Sequence, residues 1–216
     1  NFGAAEDAVD HHGHGTHVAS LAAGTGAASG GARSGVAPDA RLISGKVVDD
    51  FGFGQESEAI AGMEWAAPQA AVVNMSLGYG GDSDGSDPIS MALDALSEQH
   101  GTLFVVAAGN SGPGSRSVEF PGVADRALTV GAVDASDVLA DFSSRGPTPD
   151  TAELKPEVVA PGVDIVAARA AGTTMGPPAG EQYVTASGTS MAAPHVAGAA
   201  ALMAQRHPGW DADEIK

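Results

Sequence analysis

The sequence predicts an α/β fold in which helices cover both faces of an open, mostly parallel β-sheet, giving three layers. Short apolar runs of strand length recur along the chain, and helix-like segments separate the first three of them. Strand, helix and strand in succession are typical of right-handed βαβ units. The 216 residues, 43% of them hydrophobic, are enough for one sizeable core, so we interpret residues 1–216 as a single domain.

Five runs of β-branched and small apolar residues are predicted to be buried strands of the parallel type. They are residues 40–48, 71–75, 103–108, 127–133 and 164–168. Apolar residues at helical spacing predict helices over residues 56–67 and 89–99. Segments rich in Gly, Pro, Ser and Asp, among them residues 143–152, are predicted loops.

A long helix is predicted towards the end of the chain. Residues 196–204 are apolar on every side, which is typical of a helix buried in the middle of a domain. Pro194 fits the first turn of a helix that begins near Ser190, because an N–H group would have no partner there. The unpaired N–H groups and the positive dipole end at such a serine favour an anion: a phosphate, a carboxylate or the oxyanion of a reacting carbonyl.

The composition excludes several classes of function. The 27 acidic residues outnumber the 10 basic ones, and the net charge of −17 argues against nucleic acid or an anionic membrane as a partner. The sequence has no cysteine, which excludes disulfides, zinc–thiolate sites and a thiol nucleophile. It also has no run of 18 apolar residues, so it predicts no membrane-spanning helix.

Two of the predicted strands end in residues that suit a ligand cleft. Ligands of open parallel sheets bind beyond the carboxyl ends of the strands. Residues 103–108 lead into Gly109 and Asn110, whose side-chain amide can donate a hydrogen bond into such a cleft. Residues 71–75 lead into a second such segment, which consists of Ser76, Leu77 and Gly78.

A nucleophilic Ser190 needs a base, and seven histidines are candidates. His195 lies about 140° round the helix from Ser190, and we interpret it as a hydrogen-bonded core residue. The cluster DHHGHGTH at residues 10–17 remains, and a small helix closed by Gly24 follows it. His14 and His17 are three residues apart, so a metal site built from this cluster is an alternative.

Seven segments together point to a known family. They are HGTHVA at 14–19, GVAPDA at 35–40, NMSLG at 74–78, AAGNSG at 107–112, FSSRGP at 142–147, APGVDI at 160–165 and GTSMAAPHVAGAAAL at 188–202. In these segments, which occur in the family's order, the chain resembles the subtilases, the subtilisin-like serine endopeptidases. Each segment alone is moderately specific, but the resemblance covers nearly the whole chain.

The resemblance implies that Ser190 is the nucleophile, His14 the general base, and Asn110 an oxyanion donor together with the Ser190 backbone N–H. The physics agrees, because the positive dipole end of a helix that starts at His14 keeps the imidazole neutral and able to accept a proton. The resemblance also implies a protein or peptide substrate in extended conformation. The residues implied to bind it are Asp10, Ser76, Leu77, Gly78, Ala108, Gly109 and Glu119.

The resemblance implies a secreted enzyme whose catalysis requires no cofactor, with a propeptide as one candidate partner. Subtilases often bind structural calcium, but the sequence assigns no ligands to it. The acidic segment 82–87 does not have the spacing of an EF-hand loop, and we interpret it as a solvated loop.

One member of the family's catalytic triad, an aspartate at the end of a strand well before the histidine, has no match. Only thirteen residues precede His14, and Asp7 and Asp10 follow no strand-like run. Asp211 and Glu214 form an N-terminal capping pattern for a helix that does not follow. We therefore expect a catalytic domain truncated at both ends, nearly inactive by itself. A non-catalytic peptide-binding relative is the alternative.

Glu119 and Met191 each lead to a further hypothesis. Glu119 occupies what the family pattern suggests is the floor of the primary specificity pocket, which favours Lys or Arg before the scissile bond. The alternative is a carboxylate turned to solvent. Met191 lies next to Ser190 in the sequence and predicts inactivation by mild peroxide, because a sulfoxide adds bulk and polarity there.

Overall fold

The structure, a computed structural model, describes residues 1–148 and 152–216. Its main sheet has four parallel strands in the order β1-β2-β3-β4. A separate antiparallel hairpin contains β5 and β6. The strands are β1 Val72–Met75, β2 Leu103–Ala107, β3 Leu128–Val133, β4 Val158–Pro161, β5 Ile165–Ala168 and β6 Tyr183–Ala186. Of the loop predicted over residues 143–152, residues 149–151 lie outside the described part.

Five α-helices connect and cover these strands. They are α1 His14–Ala23, α2 Glu56–Ala66, α3 Pro88–His100, α4 Thr189–Arg206 and α5 Ala212–Ile215. Short 3₁₀ turns occur at Ala27–Ser29 and Ala67–Gln69. Among the residues described, no helix has the length and apolar character needed to cross a membrane.

Strand β2 explains why the sheet lies between two helical layers, since all five of its residues are buried. Leu103, Val105 and Ala107 join the core cluster that includes the alanines of α4. Phe104 and Val106 join the cluster formed with α2 and α3. Successive side chains of a strand point to opposite faces, so the apolar run buries one set against each layer. The predicted three-layer α/β/α architecture is confirmed.

The structure corrects three of the strand predictions. Residues 40–48 form no ladder with any described strand, and Leu42 is 53% exposed. Residues 164–168 were expected to be a parallel strand, but β5 pairs antiparallel with β6. Only three residues separate β4 from β5, too few for the crossover that a parallel neighbour needs. β4 itself was missed, because its apolar run is short and ends in proline.

The end of the chain needs a further correction. The capping pattern is real, because the Asp211 carboxylate accepts hydrogen bonds from the N–H groups of Asp213 and Glu214. The expectation that no helix follows is wrong, since α5 forms one turn there.

Helix α4 also differs from its prediction. Because it begins at Thr189, Pro194 lies inside the helix and not in its first turn. The helix is not buried on every side, since Leu202 and Met203 are 44% and 40% exposed.

Helices α1 and α4 pack against each other with their N-termini at the same end. Met191, in the first turn of α4, shares a cluster with Val18 and Leu21 of α1. Further along, a Cβ added at Gly198 would lie 3.1 Å from the carbonyl oxygen of Ala22. Contacts advance in the same direction along both helices, so the helices run parallel. Their first residues, which include His14 and Ser190, therefore lie at one end of the pair.

Candidate active site

Ser190 lies in the first turn of α4, which begins one residue earlier, at Thr189. Its side chain is half-buried, and its hydroxyl donates a hydrogen bond of 3.2 Å to the carbonyl oxygen of Ser76. The Ser76 hydroxyl in turn donates to the Ser190 carbonyl oxygen at 2.8 Å. These reciprocal bonds join the start of α4 to the residue that follows β1, as expected for a site beyond the carboxyl end of the sheet.

Asn110 follows β2 and faces the start of α4. Its side-chain oxygen accepts hydrogen bonds from the backbone N–H of Thr189 at 2.9 Å and from the Thr189 hydroxyl at 3.2 Å. The oxygen is thus held by the residue next to Ser190. Within the described residues the amide NH₂ group makes no hydrogen bond, so both of its donors are available to a bound group.

His14 is the first residue of α1, and Asp10 fixes the turn that leads into it. The Asp10 carboxylate accepts hydrogen bonds from the backbone N–H groups of His12, Gly13 and Thr16 and from the Thr16 hydroxyl, at 2.6 to 3.1 Å. Burial alone raises the pKa of the Asp10 carboxyl, but these hydrogen bonds outweigh burial and lower it. Asp10 therefore acts as the cap of α1, and its expected contact with substrate stays a prediction.

The His14 ring is half-buried and neutral. Burial, assisted by the nearby rings of His12 and His17, lowers its pKa from 6.5 to about 4. The neighbouring Asp10 charge opposes this shift without a hydrogen bond to the ring. A neutral imidazole can accept a proton from a hydroxyl. Among the described residues no carboxylate is hydrogen-bonded to His14, so its tautomer is not set from within them.

Glu119 lies between the two segments that follow β1 and β2. A Cβ added at Gly109 would lie 2.5 Å from its carboxyl carbon, and one added at Gly78 would lie 2.8 Å from its Oε2. Its Oε1 accepts hydrogen bonds from the Ser111 hydroxyl at 2.7 Å and the Asn110 backbone N–H at 3.1 Å. A larger residue at Gly109 would collide with the stem of Glu119, whereas at Gly78 the nearest atom is the flexible end of that side chain.

The rings of His17 and His195 are held by contacts with backbone carbonyl oxygens. His17 is fully buried, and its Nε2 lies 3.1 Å from the carbonyl oxygen of Ile165 in β5. The Nδ1 of His195 lies 2.8 Å from the Met191 carbonyl oxygen, in agreement with the interpretation as a hydrogen-bonded residue. Within residues 1–148 and 152–216, no group of three or more His, Asp and Glu is arranged to hold a metal ion. The histidine-cluster metal site therefore gains no support.

The acidic segment 82–87 stabilises the N-terminus of α3. Asp87 caps α3 by accepting a hydrogen bond of 2.8 Å from the Ser90 N–H, and the Ser83 hydroxyl donates to the same carboxylate.

Sequence reasoning missed Thr189 and Ser111, which hold Asn110 and Glu119 in place. Thr189 is fully buried, and its hydroxyl also lies 3.2 Å from the backbone of Gly109. A hydroxyl residue directly before a helical serine is a capping signal, and it could have drawn attention to Thr189. Ser111 carries no comparable signal, since small polar residues are ordinary in turns.

The fold and the residues at its sheet edge define an α/β protein of the subtilisin-like type. The subtilase (peptidase S8) family model matches residues 2–216. The chain belongs to the subtilase family of serine endopeptidases.

Relatives and solved structures agree with this assignment. Serine protease AprX of Bacillus subtilis is 40% identical over 230 residues, which cover 96% of this chain and 52% of AprX. Subtilisin DY of Bacillus licheniformis is 40% identical and is covered over 69% of its length. The structure of sphericase superposes with a TM-score of 0.80 at 33% identity, over 97% of this chain and 69% of that one. The chain thus spans about half the length of AprX.

Proposed function

We propose that this protein is a serine endopeptidase that hydrolyses peptide bonds through an acyl-enzyme on Ser190. The observation that carries the proposal is the anchored amide of Asn110. Its oxygen is fixed by Thr189, directly before Ser190, and its NH₂ group is free to donate. A donor fixed beside a helical serine is what a developing oxyanion requires.

In this mechanism the Ser190 hydroxyl releases its hydrogen bond to Ser76 and attacks the scissile carbonyl carbon. His14 takes the hydroxyl proton as the Oγ–C bond forms, and the carbonyl oxygen becomes an oxyanion that Asn110 and the Ser190 N–H stabilise. The C–N bond then breaks, and His14 gives the proton to the departing amine. A water molecule then attacks the acyl carbon while His14 takes its proton. The Oγ–C bond breaks, His14 returns the proton to Ser190, and the carboxylic acid is released.

The segment Ser76, Leu77 and Gly78 suits an extended substrate. The backbone N–H and C=O groups of Leu77 and Gly78 bond to no other group in the part of the chain described. Unpaired backbone groups can take up a peptide as an added strand. Gly109 lies on the other side of Glu119, which contacts both segments, whereas Ala108 is fully buried with its backbone groups bonded to Val130 and Glu119.

Glu119 gives the pocket a charge. Among the described residues its carboxylate has no cationic partner, and Oε1 is occupied by Asn110 and Ser111 while Oε2 lies towards Gly78. A half-buried carboxylate without a counterion favours a positively charged ligand. We therefore propose a preference for Lys or Arg immediately before the scissile bond.

The third triad member is proposed to be an aspartate outside the residues described. Such a carboxylate would hold the His14 ring in the tautomer that accepts the serine proton. Removal of the corresponding aspartate from subtilisin, a relative of this chain, lowers kcat by roughly 3 × 10⁴, so activity should depend strongly on this carboxylate. Secretion, maturation from a propeptide and catalysis without a cofactor are further parts of the proposal, for which family membership is the support.

Labelling with a fluorophosphonate tests the central step. The full protein should be labelled at Ser190 and should cleave protein substrates, with or without a chelator. Ser190→Ala should abolish both, whereas Ser187→Ala, a change at an exposed serine three residues away, should leave labelling intact. Persistent labelling of the Ser190→Ala variant, or loss of labelling in chelator, would contradict the mechanism.

A further inference from the structure

We infer that Glu119 is a positioning residue for Asn110, in addition to any contact that it makes with substrate. The inference rests on the proposed function, because it concerns the oxyanion donor of that mechanism. Glu119 contacts the turn that carries Asn110 through its backbone, its aliphatic stem and its carboxylate. Together these contacts fix the position of the Asn110 backbone, from which the side chain projects.

Two hydrogen bonds of Glu119 contact the turn on either side of Gly109. Its backbone N–H donates to the carbonyl oxygen of Ala108 at 3.0 Å, just after β2. Its Oε1 accepts from the backbone N–H of Asn110 at 3.1 Å. One residue therefore fixes the chain on both sides of Gly109.

The stem of Glu119 lies directly against Gly109. The Cβ, Cγ and carboxyl carbon of Glu119 would all lie within 2.9 Å of a Cβ added at Gly109. Gly109 has a φ of 101°, in the region that favours glycine. Because the turn has this conformation and is packed against the glutamate stem, its shape depends on Glu119.

The remaining contacts complete the support of Asn110. Its side-chain oxygen is held by Thr189, and the next residue, Ser111, donates its N–H to the Ser144 hydroxyl at 3.0 Å. Glu119 is the contact that holds the Asn110 backbone N–H itself. Without Glu119, the turn keeps its contacts with Thr189 and Ser144 but loses the hydrogen bond at the Asn110 N–H.

Two substitutions separate positioning from charge. Glu119→Gln keeps a side-chain oxygen that can accept from the Asn110 N–H but removes the charge, while Glu119→Ala removes both. For a substrate with a neutral residue before the scissile bond, Glu119→Ala should lower kcat by about tenfold to a hundredfold with a smaller change in KM, because small displacements of a catalytic group cost rates of that size. Glu119→Gln should recover most of that loss.

Amide hydrogen exchange provides a readout that does not need turnover. The Asn110 N–H should exchange faster in Glu119→Ala than in the unsubstituted protein, and Glu119→Gln should restore its protection. Ser187→Ala, a change at an exposed serine whose hydroxyl bonds to Asp164 and not to this turn, is the control and should leave that exchange rate nearly unchanged. Unaltered exchange at Asn110 in Glu119→Ala would overturn the inference. Altered exchange in a full protein that cleaves no substrate would refute the proposed function alone.

Discussion

The side-chain oxygen of Asn110 accepts a hydrogen bond of 2.9 Å from the backbone N–H of Thr189, the residue before Ser190. This bond links the end of β2 to the first turn of α4. It uses the acceptor of the amide and leaves the donors free. The orientation of the proposed oxyanion donor is therefore set by the same helix that carries the proposed nucleophile.

Substitution of Asn110 should separate anchoring from donation. Asn110→Ala removes both, and Asn110→Asp keeps an oxygen for the Thr189 N–H but has no NH₂ donor. We expect both variants to lose kcat by about 10² to 10³, the range measured for the equivalent donor of subtilisin, because donation is what the transition state needs. Steady-state kinetics with one peptide substrate measures this. An Asn110→Asp variant with nearly full kcat would show that the amide donor is dispensable.

The charge of Glu119 should be visible in cleavage preference. Peptide libraries cut by the full protein should favour Lys and Arg before the scissile bond. Glu119→Gln should lower that preference by about tenfold, which corresponds to about 1.4 kcal/mol of lost ion pairing. Peptides with Leu at the same position are the internal reference. A library without basic preference in the unsubstituted protein would reject the hypothesis.

Met191 should be the methionine whose oxidation matters. It is 2% exposed and packs with Leu21 and Ala167, so a sulfoxide there disturbs the turn next to Ser190. Met91 is 60% exposed and should be oxidised sooner without loss of activity. Peroxide treatment followed by peptide mass mapping should show that inactivation follows Met191.

The control for this prediction is Met191→Leu, which nearly conserves volume and should retain activity in peroxide. If that variant is inactivated at the same rate as the unsubstituted protein, another residue is responsible.

Much of the fold was predictable because its central strands are buried on both faces. The β2 and β3 runs are apolar at almost every position, and their predicted and observed bounds differ by one residue at one end. Residues 40–48 are less uniformly apolar, with Arg41, Ser44 and Lys46 among them, and form no ladder among the described residues. A run of residues forms a strand only where another strand lies beside it. The residues of the run do not show which segment that is.

The motifs predict which residues form the site, but the contacts that hold those residues could not be predicted. Motifs indicated Ser190, His14 and Asn110, and the structure places all three at one end of the sheet and its helices. The roles of Asp10 as a cap and of Thr189 as an anchor arise from hydrogen bonds to backbone groups. Such bonds depend on the path of the chain, and residue type alone does not reveal it.

The pH dependence of stability should reflect the buried histidines. Burial lowers the pKa of His14 to about 4 from 6.5, and it also lowers the pKa values of His17 and His195. Below pH 6.5 the unfolded chain binds protons that the folded protein does not, so stability is full above that pH and falls as the pH decreases towards 4. His14 alone should contribute about 3 kcal/mol to this loss.

Urea unfolding between pH 4 and pH 7 measures the effect. His14→Gln should show a shallower pH dependence than the unsubstituted protein. His100→Gln, a change at the exposed end of α3, is the matched control. Equal slopes for His14→Gln and the unsubstituted protein would contradict the assignment.

Lys155 should be a main contributor to stability away from the site. Its side chain is 2% exposed, and its ammonium donates to the carbonyl oxygens of Ala124 and Ala127 at 2.8 and 2.9 Å and to Glu157 at 2.7 Å. Burial lowers the pKa of Lys155, and the charge of Glu157 opposes that shift. Removal of one partner from a buried pair leaves the other charge and the carbonyl groups unsatisfied.

Lys155→Met should therefore lower the free energy of unfolding by about 3 kcal/mol, the lower end of the range for such pairs, because Lys216 still contacts Glu157 at 2.9 Å. Arg126→Met is the comparison, since the side chains of Arg126 and its partner Asp213 are 32% and 68% exposed, and exposed pairs contribute only about 0 to 1 kcal/mol. Urea denaturation of both variants at pH 7 measures the difference. Equal losses in the two would mean that the buried ammonium and its three oxygen partners add no more stability than a surface ion pair.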